Sequence, residues 1–99
     1  MISKEYISTQ TVCFHYDIEF SFVDSLCRMG LIEMHIIEED RCIHKDQLAD
    51  LEKMIRLHND LNVNLEGIDV VFNLLEKEQK LRSELIALQN RLRRYESDL

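Results

Sequence analysis

The chain has 99 residues, 45% of them hydrophobic, with two glycines, no proline and no tryptophan, which suffices for one compact domain with a core but not for two. Gly30 and Gly67 stand 37 positions apart, so neither a phosphate-cradling glycine loop nor a dinucleotide glycine fingerprint can be written in it. The formal charge of −7 is concentrated in residues 1–75, with 14 acids against 6 bases, whereas residues 76–99 carry 5 against 6; such a front half repels phosphate backbones and suits a basic protein partner.

With so little glycine and no proline, the many turns of an all-β fold would fall to Asn, Asp and Ser, so a mainly helical domain is expected. No apolar run approaches the ~18 residues that span a bilayer, and the start, Met1-Ile2-Ser3-Lys4-Glu5-Tyr6, lacks the apolar core of a secretory signal. These features predict a soluble cytoplasmic protein with no membrane role.

Residues 4–8 read as a short strand, and Ser8 as the N-cap of a brief helix over 9–15 with Val12, Cys13 and Phe14 as its apolar positions. Ile18, Phe22, Val23, Leu26 and Cys27 form a one-sided stripe that predicts a second helix ending at Met29-Gly30, where glycine takes the left-handed cap. Ile36-Ile37, the acidic Glu38-Glu39-Asp40 and Cys42-Ile43 suit two short strands around a turn, a small wing. Leu48, Leu51, Ile55 and Leu57 continue a helical stripe from about Lys45 to Leu61, broken by Asn62-Val63-Asn64.

Asn64 is a good N-cap, Glu66 suits the positive helix start, and Val63 with Ile68 forms a hydrophobic staple, so a last helix begins near Leu65. Along it Val71, Leu74, Glu78, Leu81, Leu85, Leu88, Leu92, Tyr95 and Leu99 step by three and four, a heptad seam interrupted by one charge. A helix of about 30 residues is ~45 Å long, and the small domain is expected to cover only its first half. The second half needs a partner helix, and a second copy is the simplest supply. The division expected is therefore residues 1–63 as the front domain and 64–99 as a dimerisation helix, the two forming one compact unit.

Cys13, Cys27 and Cys42 are odd in number and lack CxxC spacing, so reduced thiols are expected. Cys13-x-His15 and Cys42-x-His44 offer zinc donors, but at a spacing unlike that of structural zinc sites, and no metal or other cofactor is expected. His15, His35, His44 and His58 pair with no nucleophile at a recognisable spacing, so no enzyme is expected; His15 and His58 are read as satisfied imidazoles at the core's edge.

The order of strand, two short helices, wing, long helix and terminal coiled-coil helix resembles the winged helix-turn-helix of MerR-type regulators. Asp17 to Ile32 lies without a break along that family's second helix, with its Gly30-Leu31-Ile32 ending. Arg41-Cys42-Ile43 stands where the family's wing has Arg-x-Tyr, and Gln47-Leu48-Ala49-Asp50-Leu51 where its third helix begins. Within that superfamily the chain is similar to the chaperone modulatory proteins called CbpM. Cys13-Phe14-His15, Met29 to Glu33, Ile55 to Leu61, Leu65 to Val71 and the Leu-Gln-Asn-Arg-Leu-Arg-Arg-Tyr run ending at Tyr95 carry that likeness.

The resemblance implies a mainly α fold, a MerR-like winged helix-turn-helix with a small β wing and a long C-terminal coiled-coil helix. It further implies a partner of a DnaJ/CbpA-like co-chaperone that binds its J-domain and hinders its meeting with Hsp70. MerR-type regulators place arginines on the recognition helix, yet Ser21 and Asp24 stand at the matching positions, which disfavours DNA. Arg28 and Arg41 keep DNA-binding transcription control open as an alternative, and a purely structural coiled-coil dimeriser is the third.

J-domains resemble one another in carrying a positively charged helix, and Asp24, Glu33, Glu38, Glu39 and Asp40 would offer it acids, with Phe20 as an apolar anchor. Leu81, Leu85, Leu88, Leu92 and Tyr95 would form the dimer seam.

Overall fold

The computed structural model describes residues 5–97, and Lys4 of the expected first strand and Leu99 of the seam lie outside them. The described elements are β1 (Tyr6–Ser8), α1 (Thr9–Tyr16), α2 (Phe20–Arg28), β2 (His35–Ile37), β3 (Asp40–His44), a 3-10 turn over Lys45–Gln47, α3 (Leu48–Asn59) and α4 (Leu65–Ser97). The chain is thus mainly helical with one small antiparallel sheet of order β1-β3-β2, the winged helix-turn-helix that the order of elements predicts.

Ser8 caps α1 as expected, its hydroxyl accepting from the Thr11 N–H at 3.1 Å. The α1 terminus is turned by Asp17 at φ 54°, with the Ile18 N–H donating to the Cys13 carbonyl at 3.0 Å. A short side chain that tolerates the left-handed region does here what glycine usually does. The helix α2 starts at Phe20, two residues later than the apolar stripe suggests, because Glu19 is still extended at φ −77°, ψ 145°. It ends as expected: Gly30 is left-handed at φ 78° and the Leu31 N–H reaches the Leu26 carbonyl at 3.0 Å.

The wing closes through Glu38 and Glu39, and Ile37 pairs with Asp40. Its strand β3 also pairs with β1, Ile7 opposite Ile43, so that the expected hairpin is the greater part of a three-stranded sheet. The front core gathers Val12 of α1, Val23 and Leu26 of α2, Ile32, Ile43 of β3, Leu51 and Met54 of α3 and Ile68 of α4, each at 1% exposure or less. Of the apolar positions assigned to α1, Val12 is buried and Cys13 half-buried, but Phe14 is 90% exposed. In a helix of eight residues only one narrow face can meet the core. Tyr16 ties α1 to α3 by donating its hydroxyl to Glu52 Oε1 at 2.6 Å.

The front histidines differ from expectation. His15 and His58 both lie exposed rather than at the core's edge. His58 is nonetheless engaged, its Nδ1 3.1 Å from the Val63 carbonyl and its ring stacked on Phe22 at 4.7 Å, while His15 meets Tyr16 edge-on at 4.8 Å.

Asn64 caps α4, its Oδ1 accepting from the Gly67 N–H at 2.8 Å. Chain contacts divide the molecule into two compact units within this helix, one ending at Asp69 and the next beginning at Val70. Ile68 is the one fully buried residue of α4 among those described, partial burial ends at Phe72, and every described residue from Asn73 onward is exposed.

The start of α4 leaves no space beside Gly67: a Cβ there would come within 2.6 Å of Val63 Cγ1 and 3.0 Å of Asn64 Oδ1. Alanine would gain up to ~1 kcal/mol of helix propensity but would press on a β-branched side chain with little rotamer freedom and on the cap itself. Gly67→Ala is therefore expected to lower stability by about 1 kcal/mol in urea or thermal unfolding; a midpoint at or above that of the parent would contradict this packing.

Candidate functional site

The face made by α2 and the wing brings together four of the residues expected to contact a partner. Asp24 and Arg28 are one turn apart on α2, acid first, the orientation that favours an ion pair along a helix, and Arg28 Nη2 lies 3.1 Å from Asp24 Oδ2. Arg41 reaches over from β3 and sets its Nη1 4.0 Å from the other oxygen, Asp24 Oδ1. Its guanidinium carbon stands 5.2 Å from the centroid of the Phe20 ring, within cation–π range. One carboxylate is thus shared by two guanidiniums, and one of these also covers an aromatic ring.

Exposure orders these groups. The side chains of Arg28 and Arg41 are 81% and 55% exposed, that of Asp24 only 30%. The acid lies beneath and the cations face outward, so this part of the face presents positive charge to a partner although a carboxylate is at its centre. Cys27 lies close enough to feel both signs: burial pushes its thiol up, Asp24 adds to the rise and Arg41 opposes it, which keeps it protonated and weakly reactive.

The other acids occupy different ground. Glu38 and Glu39 form the two-residue wing turn with φ of 52° and 67°, and Asp40 opens β3 beside them. Positive φ at both central residues marks the type I′ hairpin, which favours Asn-Gly. Two glutamates there cost stability of the order of 1 kcal/mol each. A local conflict of this kind is typical of places where side-chain chemistry outweighs backbone preference.

Glu33 is not part of this group. Its Oε1 is 3.8 Å from His35 Nε2, and His35, with Tyr6 and His44, forms an edge-to-face aromatic cluster at 5.1 and 4.9 Å. His35 and Ile36 are consecutive in β2, so their side chains leave opposite faces of the sheet.

Ile36 is not among the site residues that the sequence singles out. It is the register partner of Arg41 and 75% exposed, placing an apolar side chain on the same side of the wing as that guanidinium. The four-residue spacing of Asp24 and Arg28 signals their pairing; nothing local signals the approach of Arg41 to Asp24 or of Ile36 to Arg41, which comes through the sheet.

The expected dimer seam lies on α4. Leu81, Leu85, Leu88, Leu92 and Tyr95 are 55–70% exposed. Charge along this helix is uneven: residues 65–79 hold four acids and one base, residues 80–97 five bases and two acids. Glu78, the charged interruption of the seam, pairs with Arg82 one turn on.

Among the described residues no three His, Cys, Asp or Glu side chains converge to hold a metal ion, and no helix is long and apolar enough to cross a membrane. Cys13, Cys27 and Cys42 are all free thiols.

The family model described as MerR HTH family regulatory protein matches residues 7–90. Proteins named chaperone modulatory protein CbpM are similar over nearly their full length. That of Pseudomonas entomophila (strain L48) is 28% identical over 90 residues, 90% of this chain and 89% of the relative. That of Pseudomonas putida (strain W619) is 29% identical over the same shares. No solved structure matches the chain.

The wing turn makes a prediction. Replacing Glu39 by Gly should relieve the left-handed strain at φ 67° and raise stability by about 1 kcal/mol, read as a rise of several degrees in the thermal midpoint. An unchanged or lower midpoint would contradict strain at this turn position.

Proposed function

The chain belongs to the MerR HTH family of regulatory proteins, and from that premise we propose that it is a non-catalytic chaperone modulator of the cytoplasm. In this reading it binds the J-domain of a DnaJ- or CbpA-like co-chaperone, hinders that co-chaperone's work with Hsp70, and does so as a homodimer joined through α4. The relatives named chaperone modulatory proteins support the first part, since their likeness spans 90% of the chain.

The observation that carries the choice of a protein over DNA is the state of the helix-turn-helix face. A DNA regulator needs a face on which cations outnumber acids; here Arg28 and Arg41 enclose Asp24, and the wing that carries Arg41 adds Glu38, Glu39 and Asp40 just before it in the chain. A polyanion approaching that surface meets acids held where the backbone disfavours them. A basic helix meets complementary charge at the wing turn, which speeds encounter and fixes orientation.

The dimer rests on the exposed leucine seam. Paired antiparallel, two copies of α4 would bring the acidic first half of each against the basic second half of the other, while burying Leu81, Leu85, Leu88 and Leu92 from both sides.

Titration of the protein with an isolated J-domain of such a co-chaperone should give saturable binding that weakens with salt. Glu39→Lys with Asp40→Lys should weaken it about tenfold or more, and unchanged affinity would remove the wing from the site. Independently, Leu85→Ala with Leu88→Ala should convert the dimer to monomer in light scattering, since each buried truncation costs ~2–5 kcal/mol; an unaltered mass would place self-association elsewhere or exclude it.

A further inference from the structure

Asp24 is the acid that a basic partner would first be expected to seek on α2, yet it is the least exposed member of its cluster. Two guanidiniums cover it, Arg28 at 3.1 Å and Arg41 at 4.0 Å, and these are 81% and 55% exposed against its 30%. The outward sign at this point is positive. A lysine or arginine arriving here would meet two cations before it met the carboxylate.

Arg41 is in addition held over the Phe20 ring, and its register partner Ile36 stands 75% exposed on the same side of the sheet. An arginine fixed by an aromatic face and a carboxylate keeps its remaining N–H donors directed and loses little freedom on binding. Such an arginine flanked by apolar surface has the composition of an interface hot spot. Its outward donors fit a carboxylate, which can take them in pairs.

We propose that this point of the surface receives a carboxylate of the partner, bound by Arg28 and Arg41, and that Asp24 is a positioning residue that holds the two guanidiniums rather than a contact. The wing turn, with Glu39 two residues before Arg41 in the chain, takes the partner's cations. The face therefore recognises an acid set beside a basic stretch, a dipolar surface, and not a uniformly basic one. A nucleic acid offers the anion without the adjoining cation, so it satisfies one half of the face and is repelled by the other.

This inference rests on the J-domain reading above and deepens it, and the sign of one experiment separates the two. Calorimetric titration with the isolated J-domain would compare the parent, Arg28→Gln with Arg41→Gln, and Arg28→Lys with Arg41→Lys. The glutamine pair should bind about tenfold more weakly, and the lysine pair, which keeps the charge, should return to within about threefold of the parent. If Asp24 were itself the contact for a basic partner, removing both guanidiniums would remove repulsion and tighten binding. Tighter or unchanged binding by the glutamine pair therefore overturns the inference and leaves the J-domain reading standing. A parent that does not bind a folded J-domain overturns both. Both side chains are largely solvent-exposed, and Arg28→Gln alone, at the more exposed position, gives the same test should the double variant unfold.

Discussion

The wing strand β3 is bonded on both edges, to β1 through Ile7 opposite Ile43 and to β2 through His35 opposite Cys42. Its central residues Cys42 and Ile43 are wholly buried. Its register cannot slip by one residue without turning buried side chains out to water. Because that register is fixed, Arg41 leaves the strand at one place only, beside α2, where Asp24 and Phe20 meet it. The helix answers with its own constraint: Val23 and Leu26 are fully buried, so the opposite side of α2 must carry Phe20, Asp24 and Arg28 outward. The α2–wing face thus follows from two apolar demands, one from a strand buried at adjacent positions and one from a helix with period near four.

Nearly all of the local punctuation is achieved without glycine. Asp17, Glu38, Glu39 and Asn62 all take positive φ, and each marks a boundary between elements. For Asp17 and Asn62 this is the ordinary use of a short side chain that tolerates the left-handed region. For the two wing glutamates it is not, and their charge is the property that distinguishes them from the Asn-Gly the turn would prefer. The backbone cost and the acidic tip are therefore one feature seen from two sides.

Much of the fold was legible in the sequence because it is fixed locally. Ser8, Gly30 and Asn64 mark helix ends by short-range hydrogen bonds, and the wing follows from the apolar pairs on either side of an acidic turn. What stayed hidden depends on residues far apart in the chain. The pairing of β1 with β3 joins positions some 36 residues apart, and no spacing rule reveals it. The same holds for Arg41 over Phe20, which makes Asp24 an inner carboxylate where the sequence suggests an outer one. The histidines were misplaced for a related reason: His58 sits in an apolar pattern, but its ring is satisfied at the surface by Phe22 and the Val63 carbonyl. On α4 the spacing gives the direction of an apolar stripe and not what lies against it.

Taken together, the α2–wing face and the leucine seam of α4 offer two chemically distinct surfaces, one dipolar with apolar flanks and the other apolar with charge graded along its length. We assign the co-chaperone to the first and a second copy to the second. The most direct test is nitrogen-15 NMR of the labelled protein during addition of an unlabelled J-domain. The assignment predicts that the amide signals of Phe20, Arg28, Ile36, Glu39 and Arg41 shift or broaden while those of Leu85, Leu88 and Leu92 hold still. Perturbation confined to α4, or no perturbation with a folded J-domain in excess, would contradict it.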